Sequence, residues 1–320
     1  MKDIALGIDI GGTFTKFGFI EKNGKSQFDS MIVTTGHPDI KTYMANLASG
    51  INKSLEDLGP DFNLVGVGIG APNGNYYNGT IEYAPNLDWK NVVPFVEMFK
   101  KYFNLPMALT NDANAAAIGE MIYGSAKGLK DFVVITLGTG LGSGIVVNGK
   151  VVYGHDGFAG EVGHVMVYEN GRMCGCGNRG CLETYASASG IRRTVFELLC
   201  DETDDSSLRD VGFNEMTAKM ISKAAREGDP IALKAFEITG KILGMKLADT
   251  VAHTSPEAIF LFGGLTNAGD LIFKPTIEHF EKNLLKVYKN KIKILPSGLQ
   301  ETNAAVLGAS ALAWKELERQ

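Results

Sequence analysis

The sequence is short of the residues that would tie it to a disulfide scaffold, a nucleic acid or a membrane. It has only four cysteines among its 320 residues. Cys174, Cys176 and Cys181 crowd together while Cys200 stands alone, which excludes a framework of paired bridges. Positive charge is not in excess, since 31 Lys and Arg face 36 Asp and Glu for a net charge of −5. No basic surface is therefore expected to wrap a phosphate backbone, and nucleic acid is not an expected partner. Apolar runs of membrane-spanning length are missing too, so no membrane association is expected. The stretch 1–9 is too short and too acidic for the apolar part of a secretory leader, so a cytoplasmic location is expected. Low-complexity tracts and long linkers are also absent.

Glycine, by contrast, is abundant, with 39 residues, and the chain is long enough for two domains, each with its own core. Many of the glycines fall at the ends of predicted strands. Residues 4–10 read as a strand, followed by Gly11-Gly12-Thr13, an apolar run over 17–20 and the hairpin signal Asn23-Gly24. The same plan recurs as a strand over 132–137, Gly138-Thr139-Gly140, a strand over 144–147 and Asn148-Gly149. The recurrence predicts an internal duplication of a strand–glycine turn–strand unit, one copy per lobe.

Between the copies the pattern predicts a helix over 43–58, a strand over 64–69, a loop from 70 to 86, a helix over 93–102 and a strand over 107–110. An Ala-rich helix then starts at Asp112. Beyond the cysteines come helices over 216–226 and 230–252, a buried strand over 258–262 ending in Gly263-Gly264, a strand over 291–295 and a helix over 304–317. The Asp-rich stretch 201–213 reads as a mobile surface loop. Alternating strands and helices predict an α/β class with a mixed or parallel sheet.

Three groups of residues carry chemistry. The two glycine turns can bring backbone N–H groups close to phosphate oxygens. Each feeds a second strand, so neither is a Walker loop or a dinucleotide fingerprint. Asp9, before the first turn, either holds Mg²⁺ through water or accepts hydrogen bonds from the turn itself. Gly263-Gly264 either admits a flat base or makes an ordinary turn. Asp112, at a strand-to-helix junction, either caps the helix or receives a proton there. The sharpest pattern is His164-x9-Cys174-x-Cys176-x4-Cys181. One imidazole and three thiolates with intervening glycines fit a closed, structural Zn²⁺ site. Cys200 reads as an unrelated thiol.

Taken together, Asp9-Ile-Gly-Gly-Thr, Asn111-Asp112-Ala-Asn, Leu137-Gly-Thr-Gly-Leu-Gly, Glu161-Val-Gly-His164, Cys174-x-Cys-Gly-x-x-Gly-Cys181-Leu-Glu183 and Gly263-Gly264 resemble the ROK sugar kinases (repressor, open reading frame, kinase). The resemblance covers nearly the whole chain. It implies a two-lobed actin-like ATPase (ribonuclease H-like) fold, with the duplicated strand–glycine turn–strand units and a central cleft. The expected lobes are 1–112 plus 304–320, and 113–303.

The implied activity is ATP-dependent phosphorylation of a hexose at its C6 hydroxyl, glucose first, with Asp112 taking the proton. Asn86, Asn111, Glu161, His164 and Glu183 would bind the sugar. Gly11, Gly12, Thr13, Lys16, Gly138, Thr139 and Gly140 would hold the phosphates, and Gly263 and Gly264 the adenosine. Asp9 would serve Mg²⁺, while His164, Cys174, Cys176 and Cys181 would hold Zn²⁺. The resemblance also implies a homodimer. The same motifs suit N-acetylglucosamine, N-acetylmannosamine, mannose, fructose or allose as substrate, and polyphosphate as donor. They also suit a non-catalytic sugar-sensing regulator, although such proteins carry a DNA-binding segment before the first glycine motif and here only eight residues precede Asp9. After Gly70-Ala71-Pro72 the stretch Asn73-Gly74-Asn75-Tyr76-Tyr77 departs from the family's usual pattern, which leaves the choice of sugar open.

Overall fold

The first glycine turn sits where the first two strands meet. In the computed structural model, which describes residues 1–299 and 304–319, β1 (Lys2–Ile10) turns back at Gly11–Thr13 into β2 (Phe14–Glu21). The turn Glu21–Gly24, closed by the Gly24 N–H on the Glu21 carbonyl at 2.9 Å, leads into β3 (Ser26–Val33). Helix α1 (Ile40–Leu58) starts where the Asp39 carboxylate accepts the Thr42 N–H at 2.8 Å. It buries Tyr43, Met44, Leu47 and Ile51 at helical spacing. β4 (Phe62–Ala71) then runs parallel to β1.

The stretch expected as a loop up to residue 86 instead forms a small sheet of β5 (Gly74–Asn75), β6 (Thr80–Glu82) and β7 (Val92–Val93). The helix expected over 93–102 shrinks to α2 (Phe95–Phe99). Pro94 precedes it, and a residue before proline is held extended, so Val93 pairs as strand instead. β8 (Met107–Asn111) lies parallel to β4, and α3 (Asp112–Ile122) follows directly.

The second copy repeats the plan. β9 (Phe132–Leu137) pairs antiparallel with β10 (Leu141–Val147) across the second glycine turn. Asn148 and Gly149, both at positive φ (51° and 72°), close the hairpin to β11 (Lys150–Val151), as a tight turn between right-twisted strands requires. Helices α4 (Ala188–Asp201), α5 (Ala218–Arg226) and α6 (Pro230–Thr254) come next, and α6 has proline at its first turn. β12 (Ala258–Phe262), α7 (Asp270–Asn283) and β13 (Lys293–Pro296) complete this part.

The two sheets have the orders β3-β2-β1-β4-β8 and β11-β10-β9-β12-β13. Each is an antiparallel hairpin of three strands extended by two parallel ones, so the duplication read from the glycine turns extends to the topology. This repeated plan is that of the actin-like ATPases. Segment 201–213, expected to be mobile, is pinned. Asp229 accepts from Ser206 Oγ at 2.8 Å and the Ser207 N–H at 2.9 Å, and Arg209 donates to the carbonyls of Leu199, Glu202 and Asp204.

The last helix, α8 (Ala304–Leu317), returns to the first sheet and packs on β1, β4 and α3. Gly7 and Gly68 make this possible, since a Cβ on either would fall on the carbonyl oxygen of Val306 or Ala309. The residues gather into one unit of Met1–Leu129, Val151–Gly160 and Gly298–Gln320 and a second of Lys130–Lys150 and Glu161–Ser297. The boundary expected at 112/113 thus falls after Leu129, because α3 packs against α8, where Gly119 meets Gly308. Segment 151–160 joins the first unit through Tyr153, whose ring stacks on Tyr76 at 4.1 Å. The expected boundary at 303/304 and residue 320 lie outside the described residues. Each unit has its own apolar core. Among the described residues no helix is long and apolar enough to cross a membrane.

Candidate functional site

In the first unit the predicted site residues collect at the carboxyl ends of the parallel strands, where open α/β sheets bind ligands. Asp9 is next to last in β1, and Asn111 ends β8 with Asp112 opening α3. The Asn111 side chain caps α3, its Oδ1 accepting the Ala113 N–H at 2.8 Å, and Asp112 Oδ1 accepts the same N–H at 2.8 Å. Asn111 is thus the cap and Asp112 the first residue of the helix, with a second carboxylate, Asp9, close by.

Part of Asp9 still reaches solvent, yet protein packs densely around its carboxyl. Burial, reinforced by the charge of Asp112 and opposed by Lys16, pushes Asp9 up to about 7. Lys16 is its cross-strand partner, in register between β1 and β2. A buried carboxylate raised by a neighbouring carboxylate is a place that favours a bound proton or cation, and its hard oxygens suit Mg²⁺.

The first glycine turn is fixed from behind. The Gly11 N–H donates to the Phe14 carbonyl at 3.1 Å and the Thr34 N–H to the Thr13 carbonyl at 2.8 Å. Beneath it Thr15 Oγ1 bonds to Thr34 Oγ1 at 2.8 Å and to the Tyr43 hydroxyl at 2.7 Å. Burial holds Tyr43 well above the usual phenol range, so it stays a neutral hydrogen-bonding strut, its ring against Trp89 at 4.6 Å. A Cβ on Gly12 would lie 2.8 Å from the Asn86 carbonyl oxygen. The fold thus brings Asn86 against the first glycine turn.

Two features here were not legible in advance. The Thr15–Thr34–Tyr43 network joins residues far apart in sequence with no motif to announce them. Asn75, within the departing stretch, is buried and donates to the Asp156 carbonyl at 2.8 Å, while its Oδ1 accepts the Tyr77 N–H at 3.0 Å. The Tyr77 hydroxyl adds a bond to the Gly154 carbonyl at 2.9 Å.

In the second unit the turn Gly138–Gly140 follows β9, and Gly263-Gly264 follows β12, its parallel neighbour. Gly263, at φ 106°, opens the 3₁₀ turn Gly264–Ala268, and a Cβ there would lie 2.7 Å from the Leu137 carbonyl oxygen. The phosphate and adenosine candidates are thus brought to one end of one sheet.

Glu161 precedes the 3₁₀ turn Val162–His164, and Glu183 lies in the 3₁₀ turn Leu182–Thr184. Glu183 Oε2 accepts the Leu141 N–H at 3.0 Å, and Cys174 Sγ is 3.6 Å from its Oε1. The ligand atoms of His164, Cys174, Cys176 and Cys181 lie within 4.8 Å of one another. Cys174 Sγ is 3.7 Å from His164 Nδ1, and the sulfurs of Cys176 and Cys181 are 3.7 Å apart. Ligands bound tetrahedrally at zinc–sulfur and zinc–nitrogen lengths stand roughly 3.5–3.8 Å apart, so the cluster fits Zn²⁺ with no position left for substrate. Burial pushes the Cys174 thiol up to about 12, a proton that a bound cation would displace. For Cys176 burial acts in the same direction, but the N–H of Asn178 and the neighbouring thiols outweigh it and hold the thiol below its usual value.

The model of the ROK family matches residues 5–316. The chain is 36% identical over 280 residues to the glucokinase of Halalkalibacterium halodurans, covering 86% of this chain and 84% of that one. It is 32% identical over 255 residues to the xylose repressor of Caldicellulosiruptor bescii, covering 79% of this chain and 63% of that one. Its fold matches the crystal structure of a ROK family glucokinase from Streptomyces griseus in complex with glucose and AMPPNP, with a TM-score of 0.81, 31% identity and coverage of 98% and 99% of the two chains. In sequence along nearly its whole length, and in fold, the chain belongs to the ROK family.

Proposed function

We propose that the chain is an ATP-dependent glucose kinase that transfers the γ-phosphoryl group to the C6 hydroxyl. The reading is carried by the likeness to glucokinases over most of both chains, on a chain that keeps Asp112 at the head of α3. In the reaction the bond from O6 to the γ-phosphorus forms as the bond from that phosphorus to the bridging oxygen breaks. The hydroxyl proton passes to Asp112, and ADP leaves. Phosphoryl transfer of this kind proceeds through a loose transition state and asks mainly for alignment and charge neutralisation, so Asp112 needs position more than basicity.

On this reading Asn86, Asn111, Glu161, His164 and Glu183 bind the sugar hydroxyls. Gly11–Thr13 with Lys16 and Gly138–Gly140 bind the phosphates, and Gly263-Gly264 the adenosine. Asp9 would hold Mg²⁺, which supplies neutralising charge on the phosphate oxygens when bound. His164 and the three cysteines would hold Zn²⁺, which supplies structural order to the loop that carries Glu183. Cysteines that form no disulfide and the ATP donor support a cytoplasmic enzyme.

The test is sugar-dependent ADP release from Mg-ATP with glucose, mannose, fructose, N-acetylglucosamine and N-acetylmannosamine side by side. Turnover is expected with glucose foremost. A sugar that binds in calorimetry without any ADP release would replace the kinase with a sugar sensor, the role suggested by the likeness to a xylose repressor.

A further inference from the structure

The cysteine loop is bolted to its unit by an arginine that no motif singles out. The side chain of Arg172 is only 9% exposed, and a guanidinium carries five N–H donors. All five are engaged. Nε donates to Glu197 Oε1 at 2.8 Å, and Nη2 donates to Glu197 Oε2 and to Thr194 Oγ1 at 3.0 Å. Nη1 donates to the carbonyls of Thr184 at 2.7 Å and Gly190 at 3.1 Å. The plane lies over the Tyr185 ring at 4.4 Å, and the Arg172 N–H donates to the Tyr185 hydroxyl at 3.0 Å.

The acceptors of the guanidinium belong to two segments, the turn Leu182–Thr184 and helix α4, and both also hold the second glycine turn. At the head of α4 the Ala188 N–H donates to the Gly138 carbonyl at 2.9 Å, and Ser189 Oγ to the Thr139 carbonyl at 2.7 Å. From the other segment Glu183 takes the Leu141 N–H. One side chain on the cysteine loop therefore fixes both supports of the Gly138–Leu141 turn.

We propose that Arg172 is a positioning residue that couples the cysteine loop to the nucleotide turn, so that the two behave as one body and the phosphates meet a preset row of N–H groups. The proposal rests on the kinase reading above. The physical reason is geometric. A planar fork that satisfies a carboxylate, two carbonyls and a hydroxyl at once leaves α4 and Glu183 no freedom to shift, whereas a lysine offers one point charge and cannot bridge the same set.

The experiment measures zinc content, equilibrium binding of Mg·AMPPNP by calorimetry, and KM and kcat for glucose and ATP in the wild type, Arg172→Ala, Arg172→Lys and Ser189→Ala. Arg172→Ala is expected to keep its zinc, to bind nucleotide about tenfold more weakly and to show a KM for ATP raised about tenfold. Arg172→Lys should fail to rescue it. Ser189→Ala, which leaves the arginine fork intact and keeps the proposal testable if Arg172→Ala does not fold, should weaken nucleotide binding in the same direction with an unchanged KM for glucose. Nucleotide affinity within twofold of wild type in both Arg172→Ala and Ser189→Ala would overturn the coupling alone. So would a defect in Arg172→Ala that tracks zinc loss and is cured by added zinc. A wild type that neither binds AMPPNP nor phosphorylates any sugar would overturn the kinase reading first, and the coupling with it.

Discussion

At the residue scale the proposed roles of Asp9 and Asp112 can each be tested by the loss of one oxygen. Asp112→Asn keeps the shape and the cap but cannot take a proton. It should lower kcat by about three orders of magnitude or more while sugar affinity in calorimetry stays near wild type. Turnover within tenfold of wild type would reduce Asp112 to a helix cap. Asp9 makes a prediction about pH. Its carboxyl lies near 7 in the fold against an ordinary 3.8. Between those values the folded chain holds a proton that the unfolded chain has released, so its contribution to stability is present at low pH and is lost as pH rises through 7. In Mg²⁺-free buffer Asp9→Asn should therefore gain stability relative to wild type between pH 4 and 7, by up to about 1.4 kcal/mol per pH unit, less where solvent reaches the carboxyl. Above pH 8 the gain should level off. Denaturant titrations at several pH values read this directly, and a difference that does not change with pH would show that Asp9 ionises freely.

At the scale of the element, the cysteine loop is where the proposed zinc can be tested. Local hydrogen bonds shape it, with the Cys174 N–H on the Asn178 carbonyl at 2.9 Å and the Gly177 N–H on the Cys174 carbonyl at 3.1 Å. Three thiols and an imidazole gathered this closely are held best by a metal. Cys176→Ser should lose zinc, measured by plasma mass spectrometry, and should raise the KM for glucose through the turn that carries Glu183. Metal content equal to wild type would remove the zinc assignment. The cysteine spacing made this element legible in advance, because ligand identity and local glycines are sequence properties. The neighbouring elements were less legible. Segment 201–213 looked mobile because its Asp residues are polar, yet Asp229, at the start of a later helix, pins it. The helix expected over 93–102 gave way to strand pairing with β6, a partner that periodicity does not reveal.

The scale of the whole molecule brings in the last helix. α8 covers the first sheet at Gly7 and Gly68, so the carboxyl-terminal part of the chain completes the core begun by its first strand. Gly68→Val would push a side chain into the Ala309 carbonyl and lift α8. It should cost about 3 kcal/mol or more, read as a lowered urea midpoint and as lost hydrogen-exchange protection in β1, β4 and α8. A midpoint equal to wild type would mean that α8 does not pack flush on the sheet. The same helix explains why the unit boundary moved past 112. α3 packs on α8 where Gly119 meets Gly308, a contact between distant parts of the chain that no local pattern encodes.

The sequence by itself determined the α/β class, the duplicated strand–glycine turn–strand plan, the family and the metal-type cluster. All of these rest on residue types at short spacings, where backbone chemistry and ligand preference act locally. Only the tertiary structure decided that Thr15, Thr34 and Tyr43 brace the first glycine turn, that Asn75 bonds to segment 151–160 at the Asp156 carbonyl, and that Arg172 ties the cysteine loop to α4. It also decided that Asp9 is raised to about 7. These depend on which side chains share a buried volume, since burial and the charge placed beside a group set its proton affinity and its hydrogen-bond partners, and packing between distant segments fixes both.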